Sequence, residues 1–253
     1  MTALPGRHDN RKNIMEETYL TKIIVLSKEA YREADARVSA YSLDRGRMNL
    51  VVRGALKPAS KLSGHLEPLN EAEVMVIRGR RFDYVGGARN FLAGRFIRTS
   101  LEKTRRAWTA LYLLDRAVAR EEPDREIYFL LKDFLSRLEK GAAAEADFWL
   151  NAFIWKLSAR LGFTPELEVC LQCGRNVRAG KVFFRPAAGG LVCAACHTPA
   201  DLACPTPLAA WLKEIIFRPG QEINYALPPD GFFPALQKIN HAFIKHHLAI
   251  DFF

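Results

Sequence analysis

The sequence predicts a multidomain α+β protein, in which a small N-terminal β-barrel precedes an all-α helical domain with a cysteine-bearing insertion. Apolar residues recur with a period of two between about residues 18 and 98, and with a helical period from about residue 99 onward. The stretch at about 166–205 interrupts the helical pattern and holds all five cysteines. We therefore expect an N-terminal extension at 1–17, a barrel domain at 18–98 and a helical domain at 99–253.

Short runs of β-branched and aromatic residues, separated by turn residues, indicate the strands of the barrel. We expect strands at 19–26, 37–43, 47–52, 73–77, 82–85 and 91–97. Asp44, Arg45 and Gly46 form a tight connection, since glycine can adopt a positive φ. Closing such a sheet removes its exposed edges, and the OB-fold is the five-stranded barrel that we expect.

The helical period begins close to Ser100. We expect helices at 101–118, 127–138, about 144–161, 207–217 and 234–248. In the first helix, one face is expected to carry Leu101, Thr104, Trp108, Leu111, Tyr112, Leu114 and Val118. Pro123 separates the first two helices, and Gly162 with Pro165 ends the third.

The charge is distributed unevenly along the chain. The 253 residues include 37 Lys and Arg and 28 Asp and Glu, a net charge of +9. Residues 1–98 hold 18 basic and 11 acidic side chains, so 18 − 11 = +7 of this excess lies in the predicted barrel domain. A field of this kind favours a polyanionic partner, which is usually nucleic acid or an anionic membrane. The basic segment reads as strands rather than as an amphipathic helix, so we expect nucleic acid and no membrane.

Composition and the N-terminus exclude several classes of protein. With 49% apolar residues the chain is not intrinsically disordered, and no apolar run approaches the roughly 18 residues that cross a bilayer. Residues 1–17 lack the apolar stretch of a secretory signal, and an odd number of cysteines argues against a disulfide framework. We therefore expect a cytoplasmic protein.

Two CxxC pairs predict a structural metal site. Cys170 and Cys173 are followed, after 19 intervening residues, by Cys193 and Cys196. Four thiolates with this spacing are typical of a zinc ribbon, in which the closed ligand set leaves no position for a reacting water. The alternative is four buried, reduced cysteines. Of the remaining candidates, Cys204 is expected in the core and His197 facing solvent.

No catalytic motif emerges from the sequence. His65-Leu66-Glu67 matches half of a zinc-deaminase signature, but Val169 stands where that signature has proline and the two CxxC pairs are natural partners. Phosphate-binding loop, hydrolase and metalloprotease motifs are absent from the sequence. We therefore expect a protein that is not an enzyme.

The segment between Asp44 and Glu67 is purely basic. It contains Arg45, Arg47, Arg53, Lys57 and Lys61, and the candidate path continues through Arg78, Arg80 and Arg81, with Arg89 and Arg95 beyond. Such a groove binds a phosphate backbone by releasing counterions, while aromatic rings stack on bases; Tyr41 and Met48 are the candidate apolar faces. Two alternatives remain: a charged surface with no ligand, and a barrel that binds the acidic tail of a protein.

The order of several short motifs resembles the RecO family of DNA repair proteins. The motifs are the opening strand at 17–26, Gly54-Ala55 before Lys57, Ser60-Lys61, Leu66-Glu67-Pro68, Gly162-Phe163 with Pro165, and Gly189-Gly190-Leu191-Val192-Cys193 before the second cysteine pair. The resemblance runs from about residue 16 to the C-terminus. No one motif identifies the family, but their order and spacing do so together.

The resemblance implies a fold and a set of partners. The fold is an OB-fold followed by a helical domain with a zinc-binding insertion. The activity is that of a recombination mediator, which binds single- and double-stranded DNA, anneals strands coated by single-strand-binding protein and, with RecR, helps to load the recombinase RecA. Whether a RecF-like protein takes part is left open. For the acidic tail of single-strand-binding protein, the candidate residues are Arg105, Arg106, Arg116 and Arg125.

Overall fold

The computed structural model describes residues 17–119, 121–177, 180–218 and 231–251, so the predicted extension lies outside the described residues except for Glu17. The first part of the chain contains β1 (Thr18–Tyr31), β2 (Asp35–Ser42), β3 (Gly46–Val52), β4 (Glu71–Ile77), β5 (Asp83–Leu92) and the short helix α1 (Arg95–Arg98). The second part contains α2 (Leu101–Ala117), α3 (Arg125–Lys140), α4 (Ala146–Arg160), β6 (Val182–Arg185), β7 (Gly190–Cys193), β8 (Leu202–Ala203), α5 (Thr206–Phe217) and α6 (Phe233–His247). The predicted order of a β region before helices is confirmed.

The first five strands pair in a ring. β1 pairs antiparallel with both β2 and β4, and β2 pairs antiparallel with β3. β5 lies between β4 and β3: it pairs antiparallel with β4 and parallel with β3. The resulting order, β1-β2-β3-β5-β4, returns on itself as a barrel. The parallel pairing of β3 with β5, at Leu50 with Asp83 and at Val51 with Tyr84, closes the ring.

Strand β1 is buried on both faces at its centre, which explains its unbroken apolar run. Ile23 and Val25 lie in the barrel core, whereas Ile24 and Leu26 lie in a second core that contains the helices. Alternate residues of a strand point to opposite faces, so one run can serve two cores. The barrel and the helices are therefore packed together by β1, and the division at residue 98 stays a prediction.

The predicted strand at 91–97 is wrong beyond Leu92. Strand β5 instead runs without a break from Asp83 to Leu92, so the predicted strand at 82–85 and the start of the one at 91–97 are a single element. Gly94 then adopts a φ of 53°, which ends the strand, and Arg95–Arg98 form a helical turn. Glu139 of α3 accepts hydrogen bonds from the backbone N–H groups of Phe96 (3.1 Å) and Ile97 (3.0 Å). These N–H groups have no acceptor within the helical turn itself, so the carboxylate satisfies them.

Helices α2 and α3 begin at polar side-chain caps and pack, with α5, around α4. Ser100 accepts from the N–H of Lys103, and Asp124 accepts from the N–H of Glu126 at 2.9 Å. Helix α4 packs against α2, α3 and α5 and is buried over most of its circumference. Its Trp155 lies between Phe184 of β6 and Phe243 of α6, so the cysteine-bearing unit packs on the helical core. No helix of the described ranges is long and apolar enough to cross a membrane.

Helix α2 does not bury the whole face that its sequence predicts. Leu111 and Leu114 are fully buried against the barrel and α4, but Leu101, Trp108 and Tyr112 are exposed. The buried stripe is rotated toward Ala107 and Ala110, because small side chains let α2 approach its neighbours closely. Two aromatic side chains are left on the outer surface.

Candidate nucleic-acid interface and metal centre

The four cysteines of the two CxxC pairs come together. The sulfur atoms of Cys170, Cys173, Cys193 and Cys196 all lie within 4.8 Å of one another, and the Cys173 and Cys193 sulfurs are 3.9 Å apart. Four ligands at about 2.3 Å from a tetrahedral zinc ion are about 3.8 Å from each other. The thiol arrangement therefore fits one tetrahedral ion.

Backbone hydrogen bonds form the two cysteine turns. Gly174 N–H donates to Cys170 O at 2.9 Å with a φ of 70°, and Cys196 N–H donates to Cys193 O at 3.0 Å. Burial opposes ionisation of the Cys170 thiol, but N–H groups of Cys193, Cys173 and Gln172 aimed at its sulfur outweigh it and lower its pKa to about 6. Thiolate is the form that binds a metal ion, so the backbone prepares this ligand.

Arg185 holds the two cysteine turns against each other. Its guanidinium forms two 2.9 Å hydrogen bonds with the carboxylate of the buried Asp201, and it also donates to Cys196 O at 3.1 Å and to Gln172 Oε1 at 3.4 Å. The arginine hydrogen bonds, with those from Thr198, lower the pKa of Asp201 to about 2. Gln172 belongs to the first pair and Cys196 to the second, so one side chain spans both.

The two leftover residues take different positions. Cys204 is fully buried, as predicted, and burial raises the pKa of its thiol to about 12. His197 is exposed but stacks on Phe183, with ring centroids 4.1 Å apart. Neither belongs to the four-sulfur cluster.

A basic cleft of about 530 Å³ opens on the outer face of β2 and β3, beside the loop between β4 and β5. Its arginines are Arg37, Arg45, Arg47, Arg78, Arg80 and Arg81, and its acidic residues are Asp44, Asp83 and Glu121. Five of the eight residues predicted to bind DNA thus line one surface. Arg37 was missed, although the inward-facing Val38 beside it signals that it points outward.

The arginines of the cleft differ in how far they are already engaged. Arg47 Nε donates to Asp115 Oδ1 at 2.6 Å, and Arg78 forms a longer pair of 3.5 Å with Glu17. Within the described ranges, Arg45, Arg80 and Arg81 have no carboxylate within ion-pair distance. Arg45 lies in the turn before β3 and Arg47 lies within β3, and both side chains line the cleft.

The aromatic surface of the cleft also differs from the one expected. Tyr41 is fully buried, since its hydroxyl contacts the backbone of Asp124 at the start of α3, so it offers no face to a base. Tyr19 takes that place: the Arg45 guanidinium lies 4.7 Å from its ring centroid and that of Arg78 lies 5.9 Å away. The only signal for Tyr19 in the sequence is its position at the start of β1.

The other predicted basic residues lie outside this cleft. Arg53 stacks 4.2 Å from the ring centroid of Tyr84, and Lys61 is exposed on the loop that follows β3. Lys57 lines a separate groove together with Trp108 of α2. Arg89 contacts Glu73 at 3.8 Å and Phe91 at 5.3 Å, away from the cleft.

A second groove, of about 780 Å³, runs between α3 and α4. Phe129, Trp149 and Phe153 form part of its lining, with Lys156 among them. Burial lowers the pKa of Lys156, and its ammonium donates to the backbone carbonyl of Arg218. Of the candidate tail-binding arginines, Arg106 pairs with Asp147 at 2.6 Å and Arg125 with Asp44 at 2.7 Å, while Arg105 and Arg116 lie on the outer face of α2.

Comparison with known proteins agrees with this architecture. The family described as "Recombination protein O N terminal" matches residues 15–89, and "Recombination protein O C terminal" matches residues 98–252. The chain is 34% identical over 180 residues to the DNA repair protein RecO of Desulforamulus reducens, covering 71% of this chain and 69% of that protein. It is 30% identical over 236 residues to RecO of Rubrobacter xylanophilus, covering 90% and 92% of the two chains.

These matches extend over both the barrel and the helices, and they confirm the resemblance seen in the motifs. The relatives carry the name of a DNA repair protein, which agrees with a role in DNA repair and recombination. The chain belongs to the RecO family.

Proposed function

We propose that this protein is a nonenzymatic mediator of recombination, which binds single- and double-stranded DNA in the basic cleft and anneals complementary strands. The observation that carries the proposal is the grouping of Arg45, Arg80 and Arg81 beside Tyr19, with no carboxylate engaged to any of the three among the described residues. Unpaired guanidinium groups next to an aromatic ring suit a phosphate backbone and its bases.

The barrel supports this assignment by its topology. The strand order β1-β2-β3-β5-β4 is the order expected of an OB-fold, which is how we interpret it. OB-folds bind oligonucleotides on the face of strands 2 and 3, between the loops that flank them. The cleft occupies that face, with Arg37 and Arg47 on β2 and β3 and with Arg80 in the loop between β4 and β5.

The proposed mechanism is physical. Two DNA strands repel each other through their phosphates, and a basic surface that holds them lowers this repulsion while base pairing begins. The protein needs only to bind, orient and release, so no residue serves as an acid, a base or a nucleophile.

The cysteine cluster is assigned a structural zinc ion. Four cysteine ligands leave no open coordination position, and the Arg185–Asp201 pair fixes the two turns that supply them. The ion would stabilise the unit of β6, β7 and β8 that packs on Trp155. It takes no part in annealing.

The groove between α3 and α4 is proposed as the site for the acidic tail of single-strand-binding protein. An acidic chain end would place a carboxylate near Lys156 and apolar atoms beside the exposed ring of Phe129. Half-burial disfavours the charge on that lysine, and an incoming carboxylate would restore it. The family further implies contact with RecR and assistance in loading RecA, at the nucleoid in the cytoplasm.

The basic cleft also supports a second candidate function, a protein-interaction module in which the barrel binds acidic protein tails and not DNA. Strand annealing separates the two candidates. Complementary strands coated by single-strand-binding protein are mixed with the full chain, and duplex formation is followed by fluorescence. Our proposal predicts faster annealing, which is lost in the Arg80→Ala, Arg81→Ala double variant. Tail binding without DNA binding would favour the module instead.

A further inference from the structure

The outer face of α2 carries an exposed aromatic stripe beside the barrel. Trp108 is 46% exposed and Tyr112 is 41% exposed, and Leu56 of the loop after β3 is 45% exposed. Trp108 lines a shallow groove of about 650 Å³ with Leu56 and Lys57. Large apolar side chains exposed as a group indicate a binding surface rather than an ordinary solvated one.

Basic side chains flank these rings. Arg105 and Arg116 lie on the same exposed face of α2, and the Arg116 guanidinium is 5.5 Å from the ring centroid of Tyr112. In the part of the chain that the structure describes, neither arginine, nor Lys57, has a carboxylate within ion-pair distance. The two acidic residues of the groove are already engaged, Glu67 with Lys28 at 2.6 Å and Glu29 with Arg37 at 3.4 Å.

The helical spacing suits a nucleotide chain. A helix rises about 1.5 Å per residue, so Trp108 and Tyr112 are separated by about 6 Å along the axis and Arg105 and Arg116 by about 16 Å. Rings separated in this way, with a cation beyond each, can stack on successive bases of an extended strand while the cations contact its phosphates.

This surface adjoins the basic cleft. Glu29 of β1 lines the shallow groove and Arg37 of β2 lines the cleft, and these two residues are cross-strand neighbours joined by an ion pair. Asp115 of α2 forms a second point of contact, because it accepts from Arg47 of the cleft and adjoins Arg116 in the chain. The two surfaces are therefore neighbours on the molecule.

We propose that Lys57, Arg105, Trp108, Tyr112 and Arg116, the α2 track, form a second binding site for a single DNA strand. One strand occupies the cleft and its complement occupies the α2 track, and the shared border at Arg37 brings the two backbones together. This inference rests on the proposed function of the cleft. It adds the second site that annealing of two strands by one chain requires.

The stoichiometry of binding tests the proposal on the full chain. The probe is an oligothymidylate of about 12 nucleotides, within the ~4–16 nucleotides that an OB-fold covers, and it cannot pair with itself. The wild type should bind two equivalents per chain. Trp108→Ala with Tyr112→Ala should weaken the second equivalent about tenfold or more and leave the first unchanged. Alanine is favourable in a helix, so these exposed changes preserve α2.

Fluorescence gives an independent reading. Trp149, Trp155 and Trp211 are buried, so only Trp108 can stack on a base. The second equivalent should quench the emission of the wild type, and Trp108→Phe should keep two equivalents because it keeps a ring. Lys238→Ala, at an exposed lysine on α6, is the matched control for charge in a comparison with Arg105→Ala.

The outcomes separate this proposal from the one on which it rests. If the Trp108→Ala, Tyr112→Ala variant still bound two equivalents of oligothymidylate with unchanged affinity, the α2 track would be overturned and the proposal for the cleft would stand. The same variant binding DNA normally but losing a protein partner such as RecR would also overturn it, and would make α2 a protein interface. If the wild type bound no DNA, the proposed function itself would fail.

Discussion

Arg47 on β3 donates its Nε to Asp115 Oδ1 on α2 over 2.6 Å, and the same carboxylate oxygen accepts from Ser39 Oγ at 2.6 Å. Both charged side chains are only 20% exposed. A basic residue that the sequence places among the DNA ligands thus joins the barrel to the helices.

Replacing Asp115 by alanine is therefore expected to destabilise the fold. It leaves the partly buried Arg47 without its partner and Ser39 without an acceptor, at a cost of about 1–3 kcal/mol in the free energy of unfolding. Denaturant unfolding of Asp115→Ala, Arg47→Ala and the double variant measures it. The two single changes should not add, and full additivity would contradict the ion pair as a tie between the two parts.

The metal centre gives a second prediction. Chelation or Cys173→Ser should release one zinc ion, seen by native mass spectrometry, and lower the melting temperature, since the ion binds thiolates from both cysteine turns. Arg185→Ala should lower the melting temperature as well, and Arg185→Lys should not restore it, because lysine cannot form the paired bonds to Asp201. A folded chain with four free thiols and an unchanged melting temperature would refute the structural role.

The carboxyl group of Asp124 is expected to make the stability of the fold depend on pH. Burial opposes its ionisation, but hydrogen bonds from Arg160 and from the N–H of Glu126 prevail and hold the pKa of this carboxyl below its ordinary value. Because the pKa is lower in the folded state, the ionised carboxylate stabilises the fold fully at pH values above its pKa in the unfolded chain, near 4. This stabilisation is lost as the pH falls through the pKa of the folded state.

The Asp124→Asn variant is the test for that contribution. Asparagine can still cap α3 but cannot carry the charge that Arg160 contacts, so the variant should lose stability at pH 7 and less at pH 3. Thermal melts at both values measure the difference. An equal loss at the two pH values would mean that the charge contributes nothing.

The α3–α4 groove gives a prediction for the partner's tail. Lys156→Ala and Phe129→Ala should each weaken, several-fold, the binding of a peptide with the acidic C-terminal sequence of single-strand-binding protein. The first change removes a charged contact and the second an apolar one. Fluorescence anisotropy of the labelled peptide measures it. Lys140→Ala, which changes an exposed lysine of α3 that does not line the groove, is the control, and DNA binding should be unchanged in all three.

The sequence predicts the elements better than it predicts the surface. The alternation of β2 and β3 and the spacing of the CxxC pairs are local patterns, so the strands and the cysteine cluster could be inferred directly. The position of Arg47 depends on Asp115, 68 residues further along the chain, and that of Tyr41 on the start of α3 at Asp124. No local pattern carries such information.

Helix α2 illustrates the same limit. Its apolar residues fill more than one face, and the period alone does not reveal which of them meets the barrel. Packing selects Leu111 and Leu114 for the core and leaves Trp108 and Tyr112 outside. The exposed rings become recognisable only when the buried ones are known.

The most direct test of the account is the salt dependence of binding to single-stranded DNA. Arg45, Arg80 and Arg81 are the cleft residues expected to contact phosphates, and each contact contributes about 0.7 to the slope of log K against log salt concentration on a single strand. The wild type should show a steep negative slope, and the triple alanine variant a slope shallower by about 2. Arg47→Ala, in a residue already paired with Asp115, should change the slope little. A flat slope in the wild type, or the same slope in the triple variant, would contradict the basic cleft as the site where DNA binds.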